Sequence, residues 1–186
     1  KQLKPSCKVY GVQAQGAPSM EHSVTDGKIE TLNAVNTIAD GIAVKTPGDL
    51  TFELCQKYVD GIVTVSDDEI ALAILTLLEQ QKLIAEGAGA VPVAAVMNGK
   101  IPEIDGKKVC CVVSGGNIDV TILSRVIERG LKMGGRTADI VISLSDRPGQ
   151  LSGVSRIVAE QGANVVSVNY LSLIHISEPT RHSLIS

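Results

Sequence analysis

Tryptophan is absent from this 186-residue chain, which has only one Phe and three Tyr. So few aromatic rings cannot build the stacking platforms of single-strand nucleic-acid binders or the cages that hold quaternary ammonium groups. Charge of one sign is lacking too: 17 Lys and Arg face 20 Asp and Glu, for a net charge of −3. Binding nucleic-acid phosphates needs clustered cations, so nucleic acid is not expected as the partner. No apolar run reaches the roughly 18 residues of a membrane-spanning helix, and no membrane is expected. The polar stretch Lys1–Lys8 lacks the apolar core of a signal peptide. A first residue of Lys1 in place of Met predicts a chain that begins inside a longer protein or after processing. The four cysteines, Cys7, Cys55, Cys110 and Cys111, form no CxxC pair and share no ligand spacing with His. They read as buried small hydrophobes of a reducing cytoplasm, not as disulfides or zinc ligands.

What is present is a globular balance, 44% hydrophobic and 20% charged. The length suits one domain, or one domain plus a piece of another. "CKVYGVQA" (Cys7–Ala14) reads as a strand opening into the polar loop "QGAPSMEHS". Thr46 and Pro47 supply an N-cap and a first helical residue for a helix carried by Asp49–Val59. "GIVTV" (Gly61–Val65) is a β-branched run typical of a buried strand. Ser66 with Glu69 is a capping-box signature before "EIALAILTLLEQQ". "EGAGA" (Glu86–Ala90) interrupts, and "VPVAAVMNG" reads as a small-residue helix ending at Gly99. "KKVCCVV" (Lys107–Val113) has no polar alternation, as in a strand covered on both faces. "SGGN" and the helix "VTILSRVIERGL" follow. Strands alternating with helices predict an α/β fold with a largely parallel sheet.

The chemistry gathers at strand ends. Ser114-Gly115-Gly116-Asn117 lies where a strand hands over to a helix, the end of an open α/β sheet where ligands bind. Its glycines allow close backbone approach, and the helix start favours anionic groups. A plain turn and helix cap explains the same residues. Glu86, between Leu83-Ile84-Ala85 and small residues, is either a polar group facing a site or an exposed loop acid. Asp40-Gly41 fits turn chemistry as well as a site. His22 reads as a solvated loop side chain, and Asp67-Asp68-Glu69 as acids favoured by a helix dipole over a metal site.

In this order "TIADG", "VSDDEI", "EGAGA" and "SGGNID" resemble threonine ammonia-lyase (threonine dehydratase), a fold-type-II pyridoxal-phosphate enzyme related to serine racemase and serine dehydratases. The resemblance covers about Lys1–Leu131. It implies the C-terminal part of a tryptophan-synthase-β-like catalytic domain, a parallel sheet with helices. Pyridoxal 5′-phosphate is the implied cofactor. Ser114 matches the family hydroxyl at the pyridine nitrogen, and Glu86 a carboxylate near the ring. Asp40 and Gly41 match positions beside the pocket, Gly115 belongs to the Ser114 turn, and Asn117 is expected to cap the next helix. A neutral hydroxyl at the ring nitrogen makes a milder electron sink, which suits elimination over transamination. The implied reaction takes L-threonine to 2-oxobutanoate and ammonia, and L-serine to pyruvate.

Two features depart from the family. The lysine that anchors the cofactor lies in an "SFK"-type motif beside a glycine-run phosphate loop, and neither occurs here; the chain alone is expected to be inactive. Relatives that use a divalent cation hold it with acidic residues, whereas the matching positions here are Gln13, Ala17 and Ser19; no metal is expected.

Beyond a linker, "KMGGRT" (132–137), residues 138–170 resemble the first half of an ACT domain, a ferredoxin-like regulatory module. They read as strand, turn, helix, strand. Asp146, Pro148 and Gly149 lie at the turn where such domains take amino-acid effectors; isoleucine or valine is implied, although Pro-Gly also suits a plain turn. The segment Leu171–Ser186 is expected not to be family sequence. Alternative readings are a serine dehydratase or serine racemase, and a non-catalytic amino-acid-binding regulatory protein. The resemblance further implies a homo-oligomer.

Overall fold

A computed structural model describes residues 1–145 and 147–169. The chain forms two compact units, Lys1–Ala138 and Asp139–Ser186.

The first unit is built on two parallel strands, β1 (Tyr10–Ala14) and β2 (Gly61–Val65), in a register that sets Tyr10 opposite Gly61 and Ala14 opposite Val65. Backbone hydrogen bonds beyond the paired residues extend the ladder at both ends, Asp60 N to Val9 O at 2.8 Å and Gln15 N to Val65 O at 2.8 Å. Two helices lie on the crossover between the strands, α1 (Ser19–Asp26) and α2 (Asp49–Tyr58). After β2 come α3 (Asp67–Thr76), a π-helical turn (Leu77–Gln81), α4 (Gly87–Met97) and α5 (Val120–Met133). This is the expected α/β arrangement with parallel pairing.

Helix α3 is the axis of the core. Ile70, Ala71, Ala73 and Ile74 are fully buried, packed with Val65, Ala90, Ala94 and Val126. Burying each Ile contributes about 1.5–3 kcal/mol. The capping box forms as expected: Glu69 N donates to Ser66 Oγ at 3.2 Å, and Ser66 N donates to Glu69 Oε2 at 2.7 Å. Helix α5 crosses α3 at Gly130, where a Cβ would sit 3.0 Å from Ala71 O. Arg129 pairs with Asp68, and Arg136 with Glu79 at 2.6 Å.

Several expectations are corrected. The loop "QGAPSMEHS" contains the start of α1. It escapes periodicity because its buried positions are Ser19 and Ser23, not apolar residues, and its third amide is capped from a distance by Gln13 Oε1 at 2.8 Å. Helix α2 starts at Asp49 after Gly48, so Thr46 is no cap; its hydroxyl meets Thr31 Oγ1 at 3.0 Å. "EGAGA" does not interrupt: Glu86 is the N-cap of α4 and Gly87–Ala90 form its first turn. Residues Lys107–Val113 form no strand, and Val112 is 69% exposed. Neither β1 nor β2 pairs with that segment, and β propensity cannot replace a hydrogen-bonded neighbour. The cysteines are free but not buried: Cys7 and Cys110 are exposed, Cys55 and Cys111 half-buried, and for Cys110 and Cys111 the missing strand is the reason.

In the second unit, α6 (Gln150–Glu160) is the regular element among the described residues. Gly149 precedes it with φ +88°, a conformation open to glycine. The strands expected on either side of α6 are absent among the described residues, where Val141 and Val166 lie exposed. Asp146 and Leu171–Ser186 lie outside the described residues.

Candidate functional site

A cavity of about 470 Å³ opens where α4 and α5 begin. It is lined by Ile38, Asp40, Glu86, Gly87 and Asn117, and by Ile118, Asp119, Val120 and Ile122. Three separated sequence motifs meet there.

The first contact joins "EGAGA" to "SGGN". Glu86 N donates to Gly115 O at 3.0 Å, and Asn117 N donates to the Glu86 carboxylate at 3.1 Å. A Cβ at Gly115 would lie 2.5 Å from Glu86 Oε1, and one at Gly89 would lie 2.8 Å from Gly115 O. The glycines therefore serve close approach: only backbone fits between α4 and the Ser114–Asn117 loop. Glu86 is half-buried, and its carboxylate ties that loop to the helix start.

The second contact brings in "TIADG". A Cβ at Gly87 would sit 2.8 Å from Ala39 Cα, and one at Gly41 would sit 3.5 Å from Glu86 Oε1. Asp40 lines the cavity, with its Oδ1 accepting from Gly41 N at 2.9 Å. Glu86, Gly115, Asn117, Asp40 and Gly41 are thus brought into one place. Ser114 sits beside them: it is exposed, and its amide lies against Gly89.

The role expected of Asn117 as a helix cap is corrected. Asp119 caps α5, accepting from Thr121 N at 2.7 Å, while Asn117 turns its amide to Glu86. A side chain two residues nearer the helix reaches the free first-turn amides. That donation from Thr121 N holds the Asp119 carboxyl below the usual carboxylate range.

Sequence reasoning missed Asp119 and the apolar rim of Ile38, Ile118, Val120 and Ile122. The signal for Asp119 was present, an acid directly before an amphipathic run. Elsewhere, Gln13 caps α1, and Ala17 and Ser19 are buried. Among the described residues, no three His, Cys, Asp or Glu side chains cluster as a metal site, and no helix is long and apolar enough to cross a membrane. Pro148 and Gly149 stand at the start of α6 in the second unit.

Residues 1–115 match the family described as "Pyridoxal-phosphate dependent enzyme". An L-threonine ammonia-lyase of Thermotoga maritima is 55% identical over 168 residues, which is 90% of this chain and 41% of the relative. The chain therefore spans about two fifths of that relative's length. At 168 residues the match is longer than the first unit, so it continues past Ala138. Among solved structures, the processed form of threonine deaminase isoform 2 from Solanum lycopersicum superposes with a TM-score of 0.62 at 36% identity, covering 69% of this chain and 36% of that one. Serine racemase from Dictyostelium discoideum gives 0.59 at 36% identity, covering 64% and 38%.

Proposed function

Because the chain belongs to the pyridoxal-phosphate dependent enzymes, we propose that it is part of a threonine ammonia-lyase that converts L-threonine to 2-oxobutanoate and ammonia. The observation that carries this reading is the union of Glu86, the Ser114–Asn117 loop and Asp40-Gly41 around one cavity.

The residues present fit the cofactor. Ser114 stands beside a cavity lined by the carboxylates of Asp40 and Glu86, by Asn117 and by an apolar rim, a mix of polar groups and apolar surface suited to a pyridine ring. Pyridoxal phosphate, when bound, supplies the electron sink for carbanion chemistry at the substrate α-carbon. Ser114 would offer the ring nitrogen a neutral hydroxyl, a partner that suits elimination over transamination. Glu86 fixes the Ser114 loop through Asn117 N and Gly115 O. Ile38, Ile118 and Ile122 give the cavity an apolar rim.

The intact protein is read as a soluble homo-oligomer of the cytoplasm. Its second unit is read as the start of an ACT module at 138–170, taking isoleucine or valine at Asp146, Pro148 and Gly149. Support for that module is the L-threonine ammonia-lyase match continuing past Ala138 and a helix, Gln150–Glu160, that begins directly after Pro148-Gly149. The 186 residues contain no lysine in the family's anchoring context, so the chain by itself is read as inactive.

The test is turnover by the full-length protein that carries this sequence, supplied with pyridoxal phosphate. Faster release of 2-oxobutanoate from threonine than of pyruvate from serine is expected. Serine preference, or racemisation of serine without net ammonia release, overturns the threonine assignment. Serine racemase likeness gives that second outcome its place. Calorimetry with isoleucine and valine tests the effector.

A further inference from the structure

One wall of the cavity, Ile38–Gly41, has almost no regular structure of its own; a single 3-10 turn (Asp40–Ile42) ends it. It is nonetheless tightly placed, since Gly87 packs against the Ala39 backbone too closely for a Cβ to fit between them. The element that holds it lies outside the cavity, in the first turn of α3. Asp67 Oδ1 accepts from Thr37 Oγ1 at 2.6 Å, and Asp67 Oδ2 accepts from Ile38 N at 3.2 Å. Thr37 Oγ1 in turn accepts from Ala39 N at 3.1 Å. One carboxylate thus orders three consecutive residues and links "TIADG" to "VSDDEI".

The neighbouring acids do other work. Asp68 pairs with Arg129, and Glu69 closes the capping box and pairs with Lys100 at 2.9 Å. The start of α3 is therefore secured without Asp67. We propose that Asp67, acting through Thr37, is a positioning residue that sets the Ile38–Gly41 wall of the cofactor cavity. The inference rests on the reading of this cavity as a pyridoxal-phosphate site.

A first-turn acid that served only the helix dipole would act on α3 itself. The positioning role acts on Ile38–Gly41. Asp67→Asn keeps the size and removes one acceptor oxygen. Thr37→Val removes the hydroxyl, and Thr37→Ser keeps it. Hydrogen exchange on the 186-residue chain is expected to quicken about tenfold at Ile38 and Ala39 in Asp67→Asn and Thr37→Val, as befits loss of a charge-assisted hydrogen bond. Exchange at Ile70–Leu75 stays unchanged, and Thr37→Ser behaves as wild type. Unchanged exchange at Ile38 and Ala39, an equal rise across α3, or a Thr37→Ser variant as fast as Thr37→Val overturns the proposal.

Titration of the full-length protein with pyridoxal phosphate, followed by absorbance, supplies the second arm. A weaker cofactor affinity in Asp67→Asn supports the assignment, and an unchanged affinity despite a loosened wall overturns it. Absence of binding by the wild type refutes the enzyme reading instead, and exchange still decides whether Asp67 holds the wall.

Discussion

Helices α4 and α6 are both eleven residues long, yet they share little else. In α4, Gly87, Gly89, Ala90, Val91, Ala94 and Ala95 are buried; in α6 no residue is. Each helix carries glycine inside it. Gly89 faces the Ser114–Gly115 backbone at a distance that excludes a Cβ, whereas Gly153 has nothing within 4 Å. The same residue type is thus a packing requirement in one helix and a plain entropic cost in the other. Propensity explains neither helix; the neighbours do.

The contrast is broken most directly by truncating one core residue beside α4 and one apolar residue of α6. Ile74→Ala removes a fully buried side chain and is expected to cost about 2–5 kcal/mol in urea unfolding of the first unit. Ile157 is 59% exposed, and Ile157→Ala is expected to change stability by no more than about 0.5 kcal/mol. Comparable costs would mean that α6 has a core that its exposure does not reveal. Gly89→Ala comes next. The added methyl meets backbone, which cannot swing away, so about 1–3 kcal/mol is expected. It should also displace the Ser114–Asn117 loop, read as faster exchange at Asn117 N.

That glycine shows what the sequence could and could not disclose. "EGAGA" looks like a break because glycine and a lone acid disfavour helix in isolation. Only the chain twenty-five residues later, Ser114-Gly115, explains why small residues are needed there. The Ser66–Glu69 start of α3 was legible because its signal is local and its two partners lie within one turn, and β2 was legible from its β-branched run because β1 is there to pair with it. The Lys107–Val113 stretch carries the same β-branched signal as β2 and forms no strand, since strand identity belongs to the pair and not to the segment. The site residues were legible as motifs. Their binding together was not, because Asn117 N to Glu86 and Thr37 to Asp67 are contacts across about thirty residues.

Helix starts sharpen the comparison at a smaller scale. Helix α3 has a side-chain cap, whereas α6 begins at Gly149 without one. Ser66→Ala is expected to cost about 1 kcal/mol. Its effect should depend on pH. Burial of the Glu69 carboxyl raises its pKa, but hydrogen bonds from Ser66 N and the Lys100 pair outweigh this and hold it below the usual value. A carboxyl depressed in the folded state stabilises above its unfolded pKa, and that share is lost as pH falls through the folded one. Acid titration of the wild type from about pH 5 downward should therefore erode the stability of the first unit. The erosion should be shallower in Glu69→Gln; an equal slope would show that Glu69 does not report the box.

The smallest effect carries the opposite sign. At Gly153 the helix backbone is regular and a methyl meets open space, so alanine removes freedom from the unfolded chain and disturbs nothing when folded. Gly153→Ala is expected to stabilise α6 by about 0.4–1 kcal/mol. Amide exchange slowed within Gln150–Glu160 and unchanged in α4 is the signature. A slowdown spread over both units would mean they unfold as one. A destabilised α6 would mean that a neighbour already crowds Gly153 as the loop crowds Gly89, and the two helices would then differ in degree and not in kind.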